Sequence, residues 1–342
     1  MSYRKIRECL LPALAMLLLG ATATLRAQIA RPLVVTATNA AKNQLLVYST
    51  NGALLQTLST EGKGGASGNA GGIEAKNGLV AAVNFGSQSV SLFERDGEGL
   101  RLKQVVSTAT SPLSVAFGED HLYILGTTTI ESHAIYGREV SNGADGIATL
   151  LKADGSAAQV GVLPGQLIVS EKSNVIETFE LSDGAVTGHP TLVSNIPSNV
   201  NAPFGLVTRG DKAYVTIAHA NEISLVRHDD VLTVTGSGTQ SAPCWLTLVG
   251  PFLFSSNSPS MSVSRYVVFG DKIVQDAAVA ASLDGDPTDI SSGDGYIAVI
   301  DGNGTVSHLS IFTVDFEGNL KLRIAKTMAA GANGVAVVKD ND

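Results

Sequence analysis

The chain has 342 residues, of which 16% are charged and 5% aromatic, and its 31 acidic side chains outnumber 23 basic ones for a formal charge of -8. That balance argues against nucleic acid or an anionic membrane surface as a partner, since both call for a positive face. Gly, Ser, Thr, Val and Ala dominate, which suits many short strands joined by small-residue turns and leaves almost no helix to expect.

Residues 1–27 carry a positive start (Arg4, Lys5, Arg7), an apolar stretch from Leu10 to Leu19, and small residues at Ala21, Ala23 and Ala27. This order predicts a cleaved secretory signal peptide, cut after Ala27 with Ala23 as the rival, and too short to anchor in a bilayer. Cys9 precedes the apolar stretch, so it is not a lipidated cysteine at a cleavage point. Removing the segment takes away four bases and one acid, and the formal charge falls from -8 to -11. The remaining chain keeps a single cysteine, Cys244, so no intrachain disulfide is expected. The expected product is periplasmic or extracellular, without membrane insertion, and monomeric.

From residue 28 to 342 one phrase recurs: a small residue, two more, a short apolar strand, a tight polar turn, then a run of aliphatics. The small residue is Ala70, Pro112, Ala157, Pro203, Pro243, Pro287 and Ala332, at steps of 42, 45, 46, 40, 44 and 45 residues. That period is the mark of a β-propeller. The second strands, such as Leu79 to Val83 and Leu122 to Leu125, are continuously apolar, as for strands covered on both faces. Third strands pair an aliphatic with a polar residue (Val90-Ser91, Ile130-Glu131, Ile176-Glu177, Ile223-Ser224, Val263-Ser264, Val306-Ser307), which predicts partial exposure near the rim. Only Leu45-Leu46 in the first unit departs from it. The last phrase, Ala332 to Val338, has one strand, while Leu33 to Val35 lacks a preceding one. Joining the two closes the ring and removes both open edges, giving an all-β, single-domain, seven-bladed propeller. The glycine-rich stretch Gly62 to Gly72 reads as a flexible connection between the first two units.

In this architecture the loops into each innermost strand and the turns between second and third strands share one face of the central channel, here termed the mouth. The mouth positions two after each small residue are Gly72, Ser114, Gln159, Gly205, Trp245, Asp289 and Gly334, and the matching turns supply Asn39, Asn84, Glu171, Lys172, His219, Asn257 and Asp301. Of the six histidines, His133 and His308 fall on third strands, His121 on the opposite face, and His189 and His228 in outer strands or their turns. His219 alone is placed for a channel ligand, as a solvated turn residue or as a general acid or base partnered by Glu171. Trp245, the only tryptophan, is either a plug of the channel or a platform for a ring-shaped ligand. Gln159, Asn84, Lys172, Asp289 and Asp301 complete the candidate ligand contacts. The aspartates between 284 and 301 read as turn residues; Asp289 and Asp301 could offer oxygens to calcium, but their spacing does not follow a calcium loop, so no metal or cofactor is expected. Arg209-Gly210-Asp211 fills a hairpin turn, and no phosphate loop, Gly-x-Ser-x-Gly elbow, His-Glu-x-x-His or Cys-x-x-Cys occurs. Asn303-Gly304-Thr305 is a glycosylation sequon, relevant only to a eukaryotic secretory route.

Asn84-Phe85-Gly86-Ser87-Gln88-Ser89-Val90-Ser91-Leu92-Phe93, followed by Asp96-Gly97, resembles the blade phrase of the lactonase-type seven-bladed propellers, the family of 6-phosphogluconolactonases and carboxymuconate cyclases. Echoes stand at Glu171 to Phe179, Thr305 to Asp315 and Asn333 to Val337. The resemblance implies the same fold and a mouth where His, Arg and Glu hold anionic groups and move a proton. The mouth phrases here, Pro203-Phe204-Gly205-Leu206 and Pro112-Leu113-Ser114-Val115, carry neither His nor Arg, which leaves Lys172 and His219 as the basic residues there. Two functions therefore stand side by side: lactone hydrolysis or cycloisomerisation on a small cyclic ligand, with His219 and Glu171 moving protons; or a non-catalytic exported module binding a small ligand or another exported protein.

Overall fold

The computed structural model describes residues 31–197 and 202–339; the expected signal peptide and its cleavage site lie outside the described residues. Seven antiparallel sheets form the blades. Blade 2 is Ile73–Lys76, Leu79–Asn84, Ser89–Asp96 and Gly99–Ser107; blade 3 is Pro112–Phe117, His121–Gly126 and Thr129–Tyr136 with a split outer edge, Glu139–Val140 and Gly146–Thr149. Blade 4 is Ala157–Leu163, Gln166–Glu171, Val175–Ser182 and Ala185–Leu192; blade 5 is Pro203–Arg209, Lys212–Ile217, Glu222–Arg227 and Asp230–Gly236. Blade 6 is Pro243–Val249, Phe252–Asn257, Ser262–Phe269 and Lys272–Ser282; blade 7 is Asp286–Gly293, Tyr296–Gly302, Val306–Val314 and Leu320–Ala329. Helix is confined, among the described residues, to two three-residue 3-10 turns, Phe85–Ser87 and Ala218–Ala220.

Blade 1 is completed from both ends of the sequence. Asn333–Val338 is its innermost strand and pairs antiparallel with Leu33–Ala37, from Leu33 opposite Val338 to Thr36 opposite Val335, followed outward by Gln44–Ser49 and Leu54–Ser59. Pro112, Pro203 and Pro243 each begin an innermost strand, a position that asks no ladder hydrogen bond of the missing N–H.

Seven apolar clusters hold the ring, one between each pair of neighbours. Ile73, Val80, Ala82 and Phe93 of blade 2 meet Val35, Leu45 and Val47 of blade 1. Leu79, Ala81 and Val83, on the other face of the same sheet, meet Val115, Leu122 and Ile124 of blade 3. The second strands are continuously apolar because both of their faces are covered in this way.

Two expectations are corrected. The polar residues of the third strands, Ser91, Glu131, Glu177, Ser224, Ser264 and Ser307, are buried, not partly exposed. In three of these blades they bond the chain crossing over from the previous blade: Ser91 Oγ donates to Thr60 O, Glu131 Oε1 accepts from Ala109 N at 2.8 Å, and Glu177 Oε2 accepts from Leu151 N at 2.9 Å. Crossovers have no ladder of their own, so buried side chains satisfy their peptide groups. The stretch from Gly62 to Gly72 is likewise not a loose connection. It lies across the channel mouth, with Ala66, Asn69 and Ala70 buried.

Candidate functional site

The mouth is built by a recurring bulge. Register slips between the small residue and the mouth position in blades 3, 4, 6 and 7, at Pro112/Ser114, Ala157/Gln159, Pro243/Trp245 and Pro287/Asp289. A bulge re-aims the side chain that follows it. Several of these side chains then bridge to the innermost strand of the next blade, whose inner edge lacks a ladder partner. Ser114 Oγ accepts from Val160 N (3.4 Å), Gln159 Oε1 from Leu206 N (2.7 Å) and Asp289 Oδ2 from Val335 N (3.2 Å). Glu74 and Ser291, two residues further along their strands, repeat the bond to Phe117 N (3.2 Å) and Val337 N (3.3 Å). Where the series lacks a side chain the backbones themselves touch: a Cβ on Gly205 would lie 2.1 Å from Cys244 O.

Residues 62–72 close this end. Trp245, 8% exposed, donates its indole N–H to Asn69 O at 3.0 Å and meets Phe204 edge-on at 5.3 Å between ring centroids. Asn69 Nδ2 donates to Leu113 O (2.6 Å), Ala70 N to Ala158 O (3.1 Å), and Asn333 Nδ2 to Asn69 Oδ1 (3.1 Å). Lys172 Nζ donates to Gly68 O and stands over the Phe204 ring at 5.8 Å. Burial holds the Lys172 amine below its ordinary range, with Asp154 pulling it back up. The cap is thus tied to blades 1, 3, 4 and 6, and Trp245 acts as its plug. Cys244 beside it has its thiol pushed up to about 12 by burial, which disfavours the thiolate.

The structure does not assemble the expected residues into one group. His219 is exposed on the Ala218–Ala220 turn, and no hydrogen bond or ion pair joins it to Glu171. Glu171 is fully buried; its Oε1 accepts from Lys152 N (3.1 Å) and its Oε2 has no partner. Burial raises its pKa against the pull of the crossover amides, and Asp154 raises it further. Asn84 is also fully buried, accepting from Asn43 Nδ2 (3.0 Å) and donating to Ser91 Oγ (2.7 Å). Asp301 lies 2.8 Å from His308 Nδ1, its carboxyl raised by burial and lowered again by that histidine. Asp289 and Asp301 face opposite sides of the blade 7 sheet, the first bonded to blade 1 and the second against Gly285 of the incoming crossover. Among the described residues, no group of three or more His, Cys, Asp or Glu is placed to hold a metal ion.

Below the plug lies a channel cavity of about 470 Å³. Gln159, Trp245 and Asp289 line it at the capped end; Val162, Thr208, Arg209, Leu248 and Ser292 line it at the far end. The far-end residues are half-buried to exposed, so the channel opens on the face opposite the cap. Two carboxyls lie on its wall. Burial pushes Asp289 up to about 7 against the amides of Ile290, Val335 and Gly71, and pushes Glu74 up to about 7 against the Phe117 amide and Lys76. Glu74 and Arg209 escaped the counting of mouth positions because they lie two and four residues further down their strands. Asn69 offered no signal at all.

No protein-family model and no curated protein sequence matches this chain. Solved structures do. The chain is similar to a proposed 6-phosphogluconolactonase from Bacteroides uniformis, at 14% identity over 90% of this chain and 99% of the other, with a TM-score of 0.67. It is similar to the periplasmic gluconolactonase PpgL of Pseudomonas aeruginosa at 12% identity, over 90% and 99% of the two chains and with a TM-score of 0.63. Virginiamycin B lyase from Staphylococcus aureus aligns at 14% identity over 80% and 92%, with a TM-score of 0.57. Identities this low establish the seven-bladed fold, with lactonase-type propellers among the structures that share it. Site chemistry is a separate matter.

Proposed function

We propose that this protein is an exported, monomeric binding propeller without catalysis, which takes a small ligand into its channel. The observation that carries this reading is the closed mouth: residues 62–72 and Trp245 seal this end of the channel, and His219 and Glu171 are not brought together there. Gln159, Asp289 and Asn84 already hold backbone or side-chain partners, so the polar groups near that place act as fastenings. Export is supported by the signal-like sequence of residues 1–27 and by the likeness to a periplasmic propeller. Among the described residues no helix is long and apolar enough to cross a membrane.

The second reading is lactone chemistry at His219 and Glu171, favoured by the likeness to PpgL and by the raised carboxyl of Glu171, a property shared by many general acids. One experiment separates them. Protein lacking residues 1–27 is assayed for acid release from aldonolactones, aryl lactones and muconolactones, beside His219→Ala. No turnover above buffer is expected. Turnover abolished by His219→Ala would replace the binding reading with the catalytic one.

A further inference from the structure

The open end of the channel carries two charged side chains that the blade seams use only in part. Glu74 Oε2 is occupied by Phe117 N, but Glu74 Oε1 has no hydrogen-bond partner and stands in the channel wall. Asp289, the other carboxyl there, is saturated by the amides of Ile290, Val335 and Gly71. Lys76, next to Glu74 in charge, gives its Nζ to Gly118 O at 2.8 Å. Arg209 borders the same cavity at its rim; its Nη2 donates to Gly250 O, which fixes the guanidinium, while Nε and Nη1 have no partner. One acceptor and the Nε–H and Nη1–H donors of Arg209 are therefore left, on groups of opposite charge.

Their placement matters as much as their charge. Glu74 belongs to blade 2 and Arg209 to blade 5, three steps around a ring of seven, so they stand on facing walls. Glu74 is two residues past its mouth position and Arg209 four, an offset of roughly 7 Å along the channel at the usual strand rise. Between them the wall offers the hydroxyls of Thr208 and Ser291 and the aliphatic side chains of Val162 and Leu248.

We propose that the open half of the channel binds a short zwitterion, such as an amino acid or dipeptide, with its ammonium group at Glu74 and its carboxylate at Arg209. The inference rests on the binding reading above and names the ligand class. A half-buried carboxylate with a free oxygen gains from a charged donor, and guanidinium N–H groups suit a carboxylate. A ligand carrying only one of the two charges forgoes one of the two charge-assisted contacts.

The test is calorimetric titration of protein lacking residues 1–27 with glycine, β-alanine, γ-aminobutyrate and glycylglycine, each beside its single-charge analogues (for γ-aminobutyrate, butyrate and butylamine). At least one zwitterion is expected to bind about tenfold or more tightly than either analogue, as two charge-assisted contacts require. Glu74→Gln, which keeps an acceptor for Phe117 N, and Arg209→Gln should each weaken it about tenfold while still unfolding in a single cooperative transition. Zwitterions binding no better than their analogues, binding both variants as well as the parent, or giving no heat at millimolar concentration would overturn the proposal. Lactone turnover by the same preparation would instead end the binding-only reading, and the titration would still decide the zwitterion site on its own.

Discussion

Replacing Glu177 with Gln will stabilise the protein above neutral pH and flatten its stability profile. Glu177 is fully buried between blades 3 and 4; Oε2 accepts from Leu151 N at 2.9 Å and Oε1 has no partner. Beside it Glu171 likewise bonds the crossover through one oxygen and leaves the other bare. In blades 2 and 6 the same diagonal pair is Asn84 with Ser91 and Asn257 with Ser264, joined by amide-to-hydroxyl bonds of 2.7 and 2.8 Å. Two ionised carboxylates cannot make that bond, since neither has a proton to donate. Burial, against the pull of Leu151 N and with the charge of Glu171 adding to it, pushes Glu177 from 4.5 up to about 8. An acid raised in the folded state contributes its stability fully below its unfolded pKa and loses it as pH climbs to the folded value. The loss is at most about 1.4 kcal/mol per pH unit across that window, a few kcal/mol in all. Gln keeps the acceptor for Leu151 N, stays neutral and has an amide to give Glu171. Urea unfolding at pH 5, 7 and 8.5 should show the variant within about 1 kcal/mol of the parent at pH 5 and roughly 2–4 kcal/mol more stable at pH 8.5, with unchanged m. Parallel pH profiles for the two proteins, or a variant weaker at pH 8.5, would refute the reasoning.

Trp245→Ala removes the plug together with its bond to Asn69 O, and should lower stability by about 3–5 kcal/mol, read from denaturant midpoints. Lys172→Met frees Gly68 from its anchor; limited proteolysis should then cut between residues 62 and 72 several times faster, while global stability moves by no more than about 1 kcal/mol. Gly205→Ala drives a Cβ to 2.1 Å from Cys244 O and should cost more than about 3 kcal/mol, seen as loss of soluble protein. His219→Ala, at an exposed turn, should leave the midpoint within about 0.5 kcal/mol of the parent.

Blade number, order and closure were legible because they rest on local periodicity. Each small residue stands just before or at the start of an innermost strand, and the spacing to Ser114, Gln159, Trp245 and Asp289 corresponds to a bulge that recurs with the repeat. Gln159, Trp245 and Asp289 do line the channel, as the counting implies. Asn84 and Glu171 end second strands and Asp301 is the last residue but one of its own, one strand spacing further from the axis, where the nearest neighbour is the previous blade's crossover and not the channel. Repeat counting fixes position along a strand but carries no information about that radial offset.

By itself the sequence determined the seven-fold repeat, the all-β class and the closure of blade 1 by Asn333–Val338, since each follows from patterns of strand, turn and apolar run within some 45 residues. The cap was decided only in three dimensions. Its glycine-rich segment has almost no side chains to announce packing, and its anchors are distant: Trp245 lies 176 residues from Asn69, Lys172 104 from Gly68 and Asn333 264 from Asn69. The same holds for the third-strand polar residues, whose alternation suits an exposed rim equally well until the neighbouring blade covers them. Local pattern records what a strand requires of its own faces; what covers those faces depends on segments brought together by the closed ring.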